Sequence, residues 1–131
     1  GDERVLAVSP VGHATPHPTL KERTLFGAGR RKHRRGLEEI APGHEAWPTW
    51  AGASAEAARL APSALNRQPW RLAYDRDALA VSFGGADSPR ISKRLDCGIA
   101  MLHIEIAAAN AGITGEWELL ESPQVARFVA R

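Results

Sequence analysis

The 131-residue chain suits one domain, large enough to bury about two-thirds of its unfolded surface if it folds alone. Its composition, 44% apolar and 24% charged, excludes wholesale disorder. No apolar run approaches the ~18 residues of a membrane span and no charged-then-apolar leader points to secretion, so a cytoplasmic location is expected.

The net charge of +2 is unevenly distributed, because Arg30, Arg31, Lys32, Arg34 and Arg35 place five positive charges in one run and leave the remainder net acidic. The single cysteine, Cys97, cannot form an internal disulfide; it lies in an apolar helical pattern and reads as a buried, inert thiol.

In chain order, Val5 to Val8 is a short strand-like run, followed by a stretch to Pro18 whose closely spaced prolines exclude a helix and predict an extended connector. Thr19 to Phe26 carries a capping residue, an acid three positions later and apolar positions 20, 25 and 26, which predicts a short helix ending near Gly27-Ala28-Gly29. Those two glycines do not form a dinucleotide fingerprint, since no strand leads into them and no third glycine follows at position 32.

The basic run 30–35 comes next. Read alone it is a solvated face, a nucleic-acid contact or a phosphate site. Aromatic residues for base stacking are not interleaved with it. Leu37 to Ile40 predicts one or two helical turns before Pro42-Gly43.

A longer helix is expected from Pro48 to Leu60, with proline in its first turn and alanine throughout. Its apolar face is expected to comprise Trp50, Ala57, Ala58, Leu60 and Ala61, with Glu56 and Arg59 outside and Trp47 and Trp50 as core anchors.

From Trp70 the period changes to two. Leu72 and Tyr74, then Leu79, Val81 and Phe83, predict a β-hairpin turning at Asp77. Residues 86–93 are expected to form a polar loop, with Ser88, Arg90 and Lys93 as unranked candidates for a place near a site. Residues 95–112 predict a central helix, with one apolar stripe at Leu95, Ile99, Leu102, Ile106, Ala109 and Ile113 and a second at Cys97, Met101, Ile104, Ala108 and Ala111. Two stripes imply a helix covered on most sides and stopped by Gly112. Trp117 to Leu120 and Val125 to Val129 predict two further strands.

His103 and Glu105 form an H-x-E, but the P-C-x-x-C that completes a zinc deaminase site is absent downstream. Proline between His13 and His17 prevents the one-face helical spacing that makes such pairs ligands, so no metal is predicted.

The segment Ala61-Pro62-Ser63-Ala64-Leu65-Asn66-Arg67-Gln68-Pro69-Trp70 joins the longer helix to the hairpin, with short or uncharged polar side chains between two prolines. It resembles the A-P-S-x-x-N-x-Q-P-W-x-F signature of the flavin-dependent nitroreductase family, departing at Leu72, where the family often has an aromatic. The run from Leu95 to Trp117 is similar to the family's D-x-G-x-A helix, Gly-rich turn and strand. The basic run resembles the family's R-R-S-x-R phosphate segment without its serine.

The resemblance implies an α+β, nitroreductase-like fold, with a small mixed or antiparallel sheet packed on the 95–112 helix and further helices around it. It is closest to the branch built from two fused half-repeats, of which this chain resembles the second: residues 1–18 would be the tail of a preceding repeat and 19–131 the nitroreductase-like domain. It further implies an FMN cofactor, with Arg30 and Arg31 holding the phosphate and Pro62, Ser63, Ala64, Asn66 and Gln68 lining the ring. NAD(P)H would donate electrons to a nitroaromatic, quinone or similar small-molecule acceptor, and no catalytic acid or nucleophile is assigned. The partner would be a second copy or a missing N-terminal half-repeat, without nucleic acid or membrane. The alternative readings are a flavin-free degenerate half acting as a dimerisation scaffold and, more distantly, a basic nucleic-acid-binding module.

Overall fold

A computed structural model of the chain describes Val11, Leu20, residues 33–85 and residues 92–131. Two helices and a connecting turn lead into the signature segment. Helix α1 spans Leu37–Ile40, a 3-10 turn follows at His44–Ala46, and α2 spans Thr49–Leu60. The signature segment contains a second 3-10 turn, Ala64–Asn66, and opens into the hairpin β1 (Trp70–Asp75) and β2 (Ala78–Phe83). Helix α3 spans Lys93–Asn110, and β3 (Gly115–Leu119) and β4 (Gln124–Ala130) complete the chain. The expected connector over 1–18 and helix over 19–26 lie outside the described residues, Val11 and Leu20 apart, as does most of the polar loop after Gly85.

Among the described residues, four strands form one antiparallel sheet in the order β1-β2-β4-β3. The period-two pattern explains its inner face: Trp70 and Leu72 on β1, Leu79, Val81 and Phe83 on β2, and Ala126 and Phe128 on β4 are buried. The hairpin turns at Arg76 and Asp77, both with left-handed φ (48° and 62°), and Tyr74 Oη donates to Asp77 Oδ1 at 3.0 Å. Two left-handed central residues give the turn a twist that matches the flanking strands.

Helix α3 packs against this inner face and against α2 through Cys97, Ala100, Ile104 and Ala108, a stripe of spacing three and four. It runs two residues ahead of the expected 95–112 at each end. Ser92 Oγ caps it by accepting from Arg94 N, and its far end closes with Ile113 N donating to Ala108 O (2.9 Å) and Gly112 N to Ala109 O (3.0 Å) around Gly112 at φ 77°. This paired closure is the Schellman arrangement, and glycine suits its left-handed residue.

Two expected faces are corrected. On α2 the expected Ala58 and Ala61 are buried, but they are joined by Ala51, Ser54 and Ala55, whereas Ala57 is half-buried and Leu60 is 51% exposed. The small residues let α2 approach α3 closely enough for the buried Ser54 Oγ to donate to Ile104 O at 3.3 Å. On α3 Cys97, Ile104 and Ala108 of the second stripe are buried with Ala100; Met101 and the first stripe's Ile99 and Ile113 are partly buried against them, and Ala111 is exposed. Leu95, Leu102 and Ile106 are 66%, 56% and 60% exposed, so the helix is not covered on most sides. One sheet and one helix can occupy only one sector of its surface, and the broad apolar pattern exceeded what these neighbours bury.

Trp47 and Trp50 pack against the core as expected, with ring centroids 6.1 and 5.8 Å from that of Tyr74; Trp50 also lies 6.1 Å from Phe128. Cys97 is a buried free thiol.

Gly52, inside α2, has open space where a Cβ would stand. Gly52→Ala should therefore stabilise the domain by about 0.5–1 kcal/mol by restricting the unfolded chain, and a higher midpoint in a thermal melt checks it.

Candidate functional site

The signature segment is a tethered loop whose anchors come from three directions. At its start, Ala61 and Pro62 end α2, and Arg34 Nη1 donates to the carbonyl oxygens of Arg59 (3.2 Å) and Ala61. A guanidinium on the last carbonyls satisfies groups that a helix C-terminus leaves open and complements its partial negative charge. Arg35 forms an ion pair with Glu39 one turn along. The described part of the basic run is thus committed to holding α1 and α2. The nearby Arg59 hydrogen-bonds Glu56 and holds its carboxyl below the usual carboxylate range.

Within the loop, Leu65, Asn66 and Gln68 adopt left-handed φ values of 52°, 54° and 47°. Asparagine tolerates this region, but for leucine and glutamine it is unfavourable unless surrounding contacts impose it. The contacts are present. Asn66 N donates to Ser63 O (3.0 Å), Arg67 N to Ala64 O (3.1 Å) and Gln68 N to Ser63 Oγ (3.0 Å).

The buried Gln68 side chain fastens the loop to the basic segment. Its Oε1 accepts from Arg35 N at 2.7 Å, and its Nε2 donates to His33 O (3.2 Å), Asn66 O (2.8 Å) and Asn66 Oδ1 (3.2 Å). Both ends of the amide are spent inside the protein. Asp96 supplies the remaining anchor. This buried carboxylate in the first turn of α3 accepts Ala64 N on Oδ1 at 3.0 Å and Arg67 Nε on Oδ2 at 2.6 Å.

Along the loop Pro62 is exposed and Ser63, Ala64 and Asn66 are half-buried. Gln68, expected to line the ring with them, points inward and orders the loop. Arg30 and Arg31 lie outside the described residues. Asp96 and Arg67 are the site residues that sequence reasoning passed over. A signal existed for Asp96, a carboxylate set between Leu95 and Cys97 at the start of a largely apolar run, because a charge in such a place calls for a partner.

His103 and Glu105 are separate from this site. Glu105 Oε2 accepts from Trp117 Nε1 at 3.0 Å, and His103 lines a groove with Ala57, Ile106, Ala107 and Asn110. Among the described residues no three His, Cys, Asp or Glu side chains converge as a metal site, and no helix is long and apolar enough to cross a membrane.

The loop suits one face of a flat, largely apolar ring. Pro62, Ala64 and the 41%-exposed Leu65 offer apolar surface, Ser63 and Asn66 are half-buried with Ser63 Oγ and Asn66 Oδ1 each accepting from Gln68, and the Arg67 charge is neutralised by Asp96. It forms a wall rather than an enclosure.

A sequence model for the family described as "Putative TM nitroreductase" matches residues 2–108. The chain belongs to this family. A search of solved structures agrees: the crystal structure of a "putative nitroreductase" from Thermotoga maritima superposes with a TM-score of 0.60 at 26% identity, covering 76% of this chain and 42% of that one. This chain therefore spans about two-fifths of the length of that relative. No curated protein matches it significantly. The nitroreductase-like α+β fold expected from the sequence is the observed one.

Proposed function

We propose that the chain is a nitroreductase-type half that binds FMN and passes electrons from NAD(P)H to a nitroaromatic, quinone or similar acceptor. The carrying observation is the tethered 62–68 loop, whose left-handed residues are held by Ser63, Gln68 and Asp96 while Pro62 stays exposed and Ala64 and Asn66 half-buried. Bound there, FMN would supply hydride acceptance and electron delivery. The chain's own residues would do the rest: Pro62, Ser63, Ala64 and Asn66 orient the ring, Gln68 holds the loop to the basic segment, and Arg30 and Arg31 grip the phosphate. Guanidinium forks suit a group carrying nearly two negative charges.

The second wall of the site would come from another nitroreductase half, either a second copy or an upstream half-repeat. The open stripe Leu95, Leu102 and Ile106, and the neighbouring groove between α2 and α3, support a partner of this kind. The same stripe favours the second reading, a flavin-free half that serves mainly as a dimerisation scaffold.

Adding FMN to the purified chain separates the two readings. The flavoprotein reading expects quenched flavin fluorescence and shifted visible bands; an unaltered spectrum with excess FMN removes it for the chain by itself. Asn66→Ala and Arg31→Ala should each weaken binding, and unchanged affinity in both would show the pocket is misplaced.

A further inference from the structure

The clamp from α3 to the signature loop has a more specific consequence. Asp96 reaches the loop with both oxygens, taking the amide of Ala64 (3.0 Å) and the guanidinium Nε of Arg67 (2.6 Å), on either side of the left-handed pair Leu65 and Asn66. The carboxylate is 3% exposed, and it meets the loop from an element that is separate in sequence and itself packed on the sheet. Internal loop bonds alone, from Asn66 N to Ser63 O and from Arg67 N to Ala64 O, close the turn but do not hold it against the core. Among the described residues, Asp96 joins the turn to α3 through charge-assisted and backbone hydrogen bonds at once.

We propose that Asp96 is a positioning residue: through Ala64 and Arg67 it imposes the left-handed turn at Leu65 and Asn66 that presents the ligand-facing side of the loop, and it neutralises Arg67 so that this side stays suited to an uncharged ring. The statement about the turn concerns the free protein; the statement about the ring rests on the flavin reading above.

Amide hydrogen exchange of the free protein tests the turn, and FMN titration tests the ring. Asp96→Ala removes both acceptors, and the Ala64 and Asn66 amides should exchange at least ten-fold faster while Leu79 and Val81, in the centre of the sheet, keep their protection. Asp96→Asn retains an acceptor for the Ala64 amide and should restore that protection while leaving the Arg67 charge without its counter-ion. Arg67→Met, which leaves the carboxylate in place, should keep Ala64 protected and loosen Asn66; it also serves if Asp96→Ala fails to fold.

In the FMN arm, Asp96→Ala should raise the dissociation constant at least ten-fold, with Asp96→Asn in between. Equal protection of Ala64 and Asn66 in wild type and Asp96→Ala overturns the proposal. So does loss of protection in step with Leu79 and Val81, which would make Asp96 a general stabiliser. If wild type takes up no FMN yet the exchange pattern follows this order, the flavin reading falls and the positioning role stands. If FMN binds equally to wild type and Asp96→Ala, the claim that Asp96 suits the loop to the ring falls and the flavin reading stands.

Discussion

Replacing Trp70 by alanine should cost about 3–5 kcal/mol of folding stability, enough to leave a domain of ordinary stability near its unfolding threshold. Trp70 is the largest fully buried side chain and opens β1 directly after the signature loop. It stands opposite Phe83 in the hairpin. Truncation would remove its packing and leave a cavity between sheet and helices, which a close-packed interior closes only in part.

Its indole Nε1 has no hydrogen-bond partner among the described residues. Trp70→Phe should therefore be far milder, because it removes a buried unpaired donor, whose burial costs about 1–3 kcal/mol, along with part of the ring. Urea unfolding of the three proteins at one temperature checks both values. A cost below about 1 kcal/mol for Trp70→Ala would contradict this account of the core.

Charging the open stripe on α3 should abolish self-association of the chain. Between Cys97 and Ile113 only Glu105 carries a formal charge at neutral pH, and a helix apolar over so much of its circumference is ordinarily covered. Leu102 and Ile106 are more than half exposed, so Leu102→Glu with Ile106→Glu should alter stability by roughly 0.5 kcal/mol each or less.

Sedimentation equilibrium then reads association directly. Wild type should sediment as a dimer and the double variant as a folded monomer, with matching circular dichroism. A monomeric wild type would exclude the second copy and leave an upstream half-repeat as the partner. A double variant that remains dimeric would place the contact elsewhere.

Much of the fold was legible because period and punctuation agree. Alternation from Trp70 to Phe83 is a hairpin, the spacing from Leu95 onward is a helix, and Gly112 closes it. Faces were harder to read than elements. Leu95, Leu102 and Ile106 carry a regular apolar spacing yet point to solvent, whereas Ala51, Ser54 and Ala58 are buried because small side chains let α2 and α3 come together. Hydropathy ranks leucine above serine, and helix approach distance reverses that order here.

The site was legible as a segment and not as a network. Its resemblance marked Pro62 to Gln68, but the partners that shape it, Asp96 and Arg34, lie about thirty residues away on either side and reach it only through the fold. Gln68 shows the same limit: an uncharged polar residue in a turn reads equally as a ligand contact or an internal tie, and its four internal hydrogen bonds make it a tie.

Leu95 and Asp96 are adjacent on α3 and face opposite ways, one toward solvent at the head of the open stripe and the other inward onto the signature loop. A single helical turn thus touches both the surface available to another half and the surface available to a ligand. If docking on the stripe alters the set of that turn, thermodynamic reciprocity requires whatever tightens one event to tighten the other by the same factor. Ligand affinity would then depend on protein concentration, and the strength of assembly would report whether the loop is filled.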